Sequence, residues 1–242
     1  MSEPIVDVKG ITKIYRNGRG LHDVSFEVEK GDVYGLCGPN GAGKTTLLKM
    51  LVGLIFPDRG SIRLFGHAIT DHFEKAMEQV SCMFESMAAY PYLTACENLK
   101  LAARFYPELP KNRSAEVLEW VGLEPYRHEK VADFSLGMKR RLALAAALLS
   151  DPKLVILDEP TNGLDIEGTL QMRQLITRLA RESGTAFLIS SHMIGEMEKM
   201  CNRIGILYGG RLILQAKVNE WSGTGRTLEH MYMSEIGKAQ GV

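Results

Sequence analysis

The chain has 242 residues, 45% of them hydrophobic, and its 29 Lys and Arg residues balance 29 Asp and Glu residues for a formal net charge of zero. That length suits one large domain or two small ones, and the balanced charge matches neither a disordered chain nor a protein built to grip phosphate backbones, so nucleic acid is not an expected partner. No apolar run approaches the ~18–20 residues of a bilayer span, because the richest, Leu142 to Leu149, stops at Ser150-Asp151-Pro152.

The first residues lack a basic stretch followed by an apolar one, so no secretory signal is expected and a cytosolic location follows. Short strands come next, at Ile5 to Val8 and Leu21 to Val28, broken by Asn17-Gly18 and Lys30-Gly31. They predict a hairpin-rich N-terminal sheet. Val33 to Cys37 reads as a buried strand, followed by a glycine-rich turn, a helix over roughly Lys44 to Leu54 and a strand over Ser61 to Phe65. From about Phe73 to Ser150 the pattern turns helical, with segments at Asn98 to Phe105, Ala115 to Val121 and Met138 to Leu149. Strands and helices then alternate: Leu154 to Leu157, Gly168 to Glu182, Ala186 to Ser190, Gly195 to Met200, Ile204 to Leu207 and Arg211 to Leu214. Short apolar runs flanked by helices are what a parallel sheet covered on both faces requires. Cys37, Cys82, Cys96 and Cys201 lie far apart, with no C-x-x-C pair, so reduced and mostly buried thiols are expected rather than a zinc site or disulfides.

Gly38-Pro39-Asn40-Gly41-Ala42-Gly43-Lys44-Thr45-Thr46 satisfies G-x-x-x-x-G-K-[ST] between a predicted strand and a predicted helix. In that context the backbone N–H groups and helix N-terminus cradle phosphates, Lys44 reaches the β- and γ-phosphates, and Thr45 offers a hydroxyl to Mg²⁺. Leu154-Val155-Ile156-Leu157-Asp158-Glu159 ends a buried strand in two acids, where open α/β sheets place ligands. Asp158 is expected in the Mg²⁺ shell, and Glu159 is expected to orient and polarise an attacking water. Ala186 to Ser191 ends the next strand at His192, whose imidazole can donate a hydrogen bond to a γ-phosphate.

Phe134-Ser135-Leu136-Gly137-Met138-Lys139-Arg140-Arg141-Leu142 lies upstream of Asp158 at the spacing of the L-S-G-G-Q signature. With these motifs the chain resembles, over nearly its whole length, the nucleotide-binding subunit of an ATP-binding-cassette (ABC) transporter. Leu136 replaces the second-position Gly and Met138 the Gln, while Ser135 and Gly137, which approach the γ-phosphate in that family, are kept. Ser135 is also a good N-cap for the following helix. Thr161-Asn162-Gly163-Leu164-Asp165 matches the loop that touches the opposite subunit, with Asp165 as its acid, and Tyr15 matches the aromatic that stacks on adenine, although a strand aromatic can also be core.

The resemblance implies an α/β fold of the P-loop NTPase class: a mostly parallel core sheet, an N-terminal antiparallel β subdomain and an inserted helical subdomain. Residues 1–242 would form one ABC ATPase domain, with 1–85 and 151–220 as the core, 86–150 as the helical subdomain carrying the signature, and 221–242 as a C-terminal helical tail. It implies ATP and Mg²⁺ as cofactors. Two copies would sandwich the nucleotides head to tail and drive a separate integral membrane permease, the chain lying on the cytoplasmic face of the cell membrane.

One departure is Glu85, at the position where the family usually holds a Gln that offers Mg²⁺ a neutral oxygen. A carboxylate would be a stronger ligand and, without the metal, would repel Asp158 and Glu159. Met83 and Met87 flank it, where the family docks its membrane subunit, and adaptable methionines suit such a groove as well as a core. Glu85 together with Ser-Leu-Gly-Met resembles the bacterial subgroup that exports, or confers immunity to, antimicrobial peptides of the lantibiotic and bacitracin type. A soluble ABC ATPase working on the ribosome or DNA is the alternative, but such relatives usually carry two cassettes or a coiled-coil insertion. A P-loop kinase would leave Ser135 and Gly137 unexplained.

Overall fold

The computed structural model describes residues 3–84, 89–220 and 227–240. Strands β1 (Val6–Ile14) and β2 (Gly20–Val28) form an antiparallel hairpin. Val24, Phe26 and Val28 are buried while Ser25 and Glu27 between them are exposed, the alternation of a half-covered sheet. β3 (Val33–Cys37) leaves for a second sheet, and after helix α1 (Lys44–Leu51) strands β4 (Arg59–Leu64) and β5 (His67–Ala68) return to complete the first, in the order β2-β1-β4-β5.

Helix α1 stops at Leu51, earlier than the apolar pattern suggests. Gly53 has φ 72°, and a Cβ there would come within 2.4 Å of the Phe73 ring, so the chain turns where only glycine fits. The sequence predicts helix from about Phe73 to Ser150, but the segment also contains a strand. After α2 (Phe73–Met77), β6 (Val80–Met83) pairs in parallel with a strand some 70 residues later. Its four residues are too few to separate from a helical turn by periodicity.

The helices that follow are α3 (Ala95–Ala103), α4 (Arg113–Trp120) and α5 (Leu136–Ala147). α3 begins three residues earlier than expected, because Thr94 and Glu97 form a reciprocal capping box. The chain then alternates through β7 (Leu154–Asp158), α6 (Ile166–Ser183), β8 (Ala186–Ser191), α7 (Ile194–Met200), β9 (Arg203–Tyr208) and β10 (Arg211–Lys217), and ends in α8 (Leu228–Gln240).

The second sheet has the order β10-β9-β3-β8-β7-β6, parallel except for the β9–β10 pair. Its central strands are buried along their whole length. Alternate residues serve two cores: Leu154 and Ile156 of β7 join Leu36, Leu47 and Leu51, whereas Val155 and Leu157 join Leu142, Leu144 and Ile176. The sheet is therefore clamped on both faces, which fixes the relative height of its strand ends. Among the described residues no helix is long and apolar enough to cross a membrane.

All four cysteines are free, but only Cys37 and Cys201 are buried; Cys96 is partly covered and Cys82 is exposed. Met83 is buried in the core, so it does not line an open groove. Glu85 and Met87 lie outside the described residues.

Candidate active site

The register of the central sheet decides which residues meet. β8 lies between β3 and β7, with Cys37 opposite Ser191 and Asp158 opposite Ser190. The phosphate loop, the two acids and His192 therefore leave the sheet at one edge. There they border a cleft of about 440 Å³ lined by residues 40–46, Arg140, Asp158, Glu159, Asn162 and His192.

The loop is held by close packing as well as by conformation. A Cβ on Gly38 would lie 2.2 Å from the Leu207 carbonyl oxygen, and one on Gly43, at φ 108°, would lie 2.6 Å from Leu21. Gly43 is the N-cap of α1, with no side-chain cap and no acid in the first turn. The first N–H groups of the helix are thus left for an anion, beside the positive end of its dipole.

Lys44 is only 6% exposed. Its Nζ donates to the carbonyls of Gly38 at 2.8 Å and Pro39 at 3.3 Å and lies 3.4 Å from Oε1 of Glu159. The other carboxylate oxygen, Oε2, is 2.9 Å from Nδ1 of His192. Lys44, Glu159 and His192, each expected from the sequence to meet a phosphate or a water, form one chain of contacts with one another. A buried ammonium needs such partners, and an incoming phosphate group can replace the carboxylate as the partner of Lys44. At the end of β3 burial pushes the Cys37 thiol up to about 12, against the opposing pull of Lys44, so it stays a neutral packing group.

Glu159 sits at φ 49°, a left-handed conformation that a non-glycine residue keeps at a cost of about 1–3 kcal/mol when its surroundings fix it. Its N–H donates to the carbonyl of Ser190 at 3.2 Å and to the Ser190 hydroxyl at 3.0 Å. The same hydroxyl donates to Oδ1 of Asp158 at 2.5 Å. Asp158 and Thr45 supply oxygen donors to the cleft, the donor type suited to Mg²⁺. No cluster of three or more His, Cys, Asp or Glu residues that could hold a metal occurs among the described residues. Two protein oxygens match a cation whose remaining ligands are nucleotide oxygens and water.

The other expected site residues lie elsewhere. Ser135, Gly137 and Asp165 border a second cleft, of about 400 Å³, that shares no lining residue with the first. Ser135 caps α5, its Oγ accepting the Met138 N–H at 3.2 Å, and Asp165 caps α6, its Oδ1 accepting the Gly168 N–H at 2.8 Å. Tyr15 is in the turn just after β1, 40% exposed, so it is not a core aromatic. Ser190, Asn162 and Arg140 were not singled out from the sequence. Ser190 carries a signal in hindsight: aligning the two strands from their first residues, Leu154 and Ala186, sets it beside Asp158.

These geometries meet their counterparts in known proteins. A family model for ABC transporters matches residues 21–162. The ABC transporter ATP-binding protein YhcH of Bacillus subtilis is 44% identical over 209 residues, covering 86% of this chain and 68% of that protein. The bacitracin transport ATP-binding protein BcrA of Bacillus licheniformis is 39% identical over 235 residues, covering 97% and 77%. Among solved structures, an ATP-binding subunit of an ABC transporter superposes with a TM-score of 0.82 at 30% identity, covering 96% of this chain and 99% of that one. A dimeric ATP-binding cassette in a post-hydrolysis state, bound to ADP and Pi, gives 0.76 at 26% identity, covering 88% and 98%. The chain belongs to the ABC transporter family, as an ATP-binding subunit that hydrolyses ATP.

Proposed function

We propose that this ATPase powers a separate membrane permease by closing with a second copy of itself, head to tail, around ATP, and that the transporter exports peptides or other antimicrobial compounds. The observation that carries the closure is the division of the candidate residues between two clefts with no lining residue in common. Lys44, Asp158, Glu159 and His192 are gathered in one, Ser135 and Gly137 in the other. In a head-to-tail pair, Ser135 and Gly137 of one copy would face the phosphates held by the other. The cargo class is supported by the likeness to BcrA, a bacitracin transport protein, and by Leu136 and Met138 in the signature.

In this reading one cassette spans the chain: 1–85 and 151–220 hold the nucleotide, 86–150 carry the signature on helices, and 221–242 form the tail. Tyr15 stacks on adenine from the N-terminal sheet. The loop Gly38 to Gly43 and the bare start of α1 hold the phosphates, with Thr46 beside them. Thr45 and Asp158 hold Mg²⁺, which when bound neutralises charge on the β- and γ-oxygens. Glu85 would join that set.

Arrival of the γ-phosphate draws Lys44 away from Glu159 and frees a carboxylate oxygen to accept a hydrogen bond from water. That water attacks phosphorus in line, the bond to the ADP oxygen breaks, and the proton of the water passes to Glu159 or to the released phosphate. His192 keeps hold of Glu159 through Nδ1 and presents its other ring nitrogen for the phosphate. Arg140 of α5 lines this cleft, but the N-cap of that helix, Ser135, does not, and in this reading a second copy supplies it.

Glu159→Gln tests the assignment. It should slow hydrolysis by orders of magnitude, leave ATP binding intact and favour a stable dimer in size-exclusion chromatography with ATP; undiminished turnover would overturn it. Purification from detergent extracts should bring down a hydrophobic partner rather than ribosomes or DNA.

A further inference from the structure

Ser190 lies on the strand between those that carry the phosphate loop and the acids, and the reaction outlined above gives it no task. It is fully buried and is the register partner of Asp158 across β7 and β8. Side chains at paired positions of neighbouring strands share a face of the sheet. The Ser190 hydroxyl accordingly donates to Oδ1 of Asp158 and accepts the N–H of Glu159, whose second acceptor is the Ser190 carbonyl. One residue therefore holds two consecutive acids by different handles, the carboxylate of the first and the backbone of the second.

Both handles matter for chemistry. A carboxylate that ligates a cation is oriented by its own hydrogen-bond partners, and losing such a partner typically costs about 10- to 100-fold in metal affinity or activity. Glu159 at φ 49° keeps its side chain in the cleft only while its backbone is tied down. A hydroxyl that merely needed burial would be satisfied by one acceptor; this one also serves as the acceptor at the strained peptide.

We propose that Ser190 is a positioning residue of the ATPase, which sets the cation seat at Asp158 and the water-polarising Glu159 in one arrangement, so that the two are correctly placed together. The inference rests on the assignment of Asp158 to Mg²⁺ made above.

The test compares wild type, Ser190→Ala and Ser190→Thr, using adenylyl imidodiphosphate as a nucleotide that is not turned over. Its binding is followed by calorimetry in EDTA and across a Mg²⁺ titration, and steady-state ATP hydrolysis is measured alongside. Ser190→Ala should raise the Mg²⁺ concentration for half-maximal tightening by about 10- to 100-fold and lower kcat by a similar factor, with metal-free affinity unchanged. Ser190→Thr, which keeps the hydroxyl, should restore both. A Mg²⁺ response and kcat equal to wild type in Ser190→Ala, with only a lower unfolding temperature, would reduce the residue to packing and overturn the proposal. Wild-type binding that ignores Mg²⁺ would instead overturn the assignment of Asp158. Should Ser190→Ala not fold, Ser190→Cys carries the same test, since its thiol has the same shape and is a weak donor; a wild-type Mg²⁺ response there would again count against the proposal.

Discussion

The two clefts differ in how far the chain finishes them by itself. In the first, the charges are deep and answered within the chain: Lys44 is 6% exposed and Asp158 2%, and each meets a named partner. In the second, Ser135 and Asp165 are occupied as helix caps, while Leu136 is 49% exposed and Ile166, at the start of the adjoining helix, 91%. Both α1 and α5 start without an acid in the first turn, so both ends favour an anion. Yet only α1 has a buried cation beside it. A cleft with uncovered apolar side chains and no buried cation at its helix end is the kind of surface that a partner completes, which supports the head-to-tail reading.

The largest effect expected is at the self-sufficient cleft. Lys44→Ala removes its only buried ammonium, the group placed to answer phosphate charge, and should lower turnover by about 10²–10³-fold or more while weakening ATP binding. Glu159 would keep His192 as its partner, so the fold should survive. Hydrolysis within a few-fold of wild type would break the comparison, because the first cleft would no longer be the place where phosphate is held.

Two glycines sharpen it at the next level. Gly43→Ala meets Leu21 at 2.6 Å in a left-handed backbone, so it should destabilise the chain by about 1–3 kcal/mol and damage nucleotide binding together. Gly137→Ala meets nothing nearer than 3.9 Å, the Ser135 hydroxyl, and lies in the first turn of α5. Within the chain it should be neutral or stabilising by about 0.5–1 kcal/mol. If a second copy presses its nucleotide on this turn, hydrolysis should nonetheless fall at least about tenfold. Unfolding and turnover measured on the same preparation separate the two: a stabilised Gly137→Ala with full activity would mean that nothing approaches that turn.

What the sequence discloses follows the same division. The residues of the first cleft are legible because each sits at the end of a short apolar run, and burial on both faces leaves such runs one register. Asp158, Glu159 and His192 could be brought to one edge without coordinates. The contacts among Lys44, Glu159 and His192 could not, since side-chain pairing within a cleft depends on sub-ångström placement that no spacing encodes. β6 is not legible in the sequence because its four residues have no periodicity of their own and become a strand only by pairing with β7. The signature is visible as a motif and as an N-cap, but its separation from the phosphate loop is a property of the tertiary fold. Ser190 was hidden by its ordinariness: a serine in a buried strand says nothing until its register partner is known.

The smallest effect expected distinguishes the helical segment from the N-terminal sheet by acid. The hydrogen bonds to Thr94 hold the Glu97 carboxyl below its ordinary value of 4.5, its Oε2 accepting the Thr94 N–H at 2.8 Å. Asp58 is likewise held below its ordinary 3.8, first by Lys13 and then by the Ile14 N–H. In both cases the unfolded chain binds the proton more readily, so stability rises with pH across the window. The contribution is complete above the ordinary carboxylate range and is lost as pH falls through the lowered folded value. Glu97→Gln can keep the capping hydrogen bond without a titrating proton. Its unfolding temperature should therefore match wild type near about pH 6 and fall less steeply below about pH 4.5. Asp58→Asn should flatten the curve further down, below about pH 4, because that tie belongs to β1 and the turn before β4. Curves parallel to wild type would mean that the carboxyl titrates alike in the folded and unfolded chains. A flattening in Glu97→Gln alone would make the cap of α3, on the segment that carries the signature, the more acid-labile of the two ties.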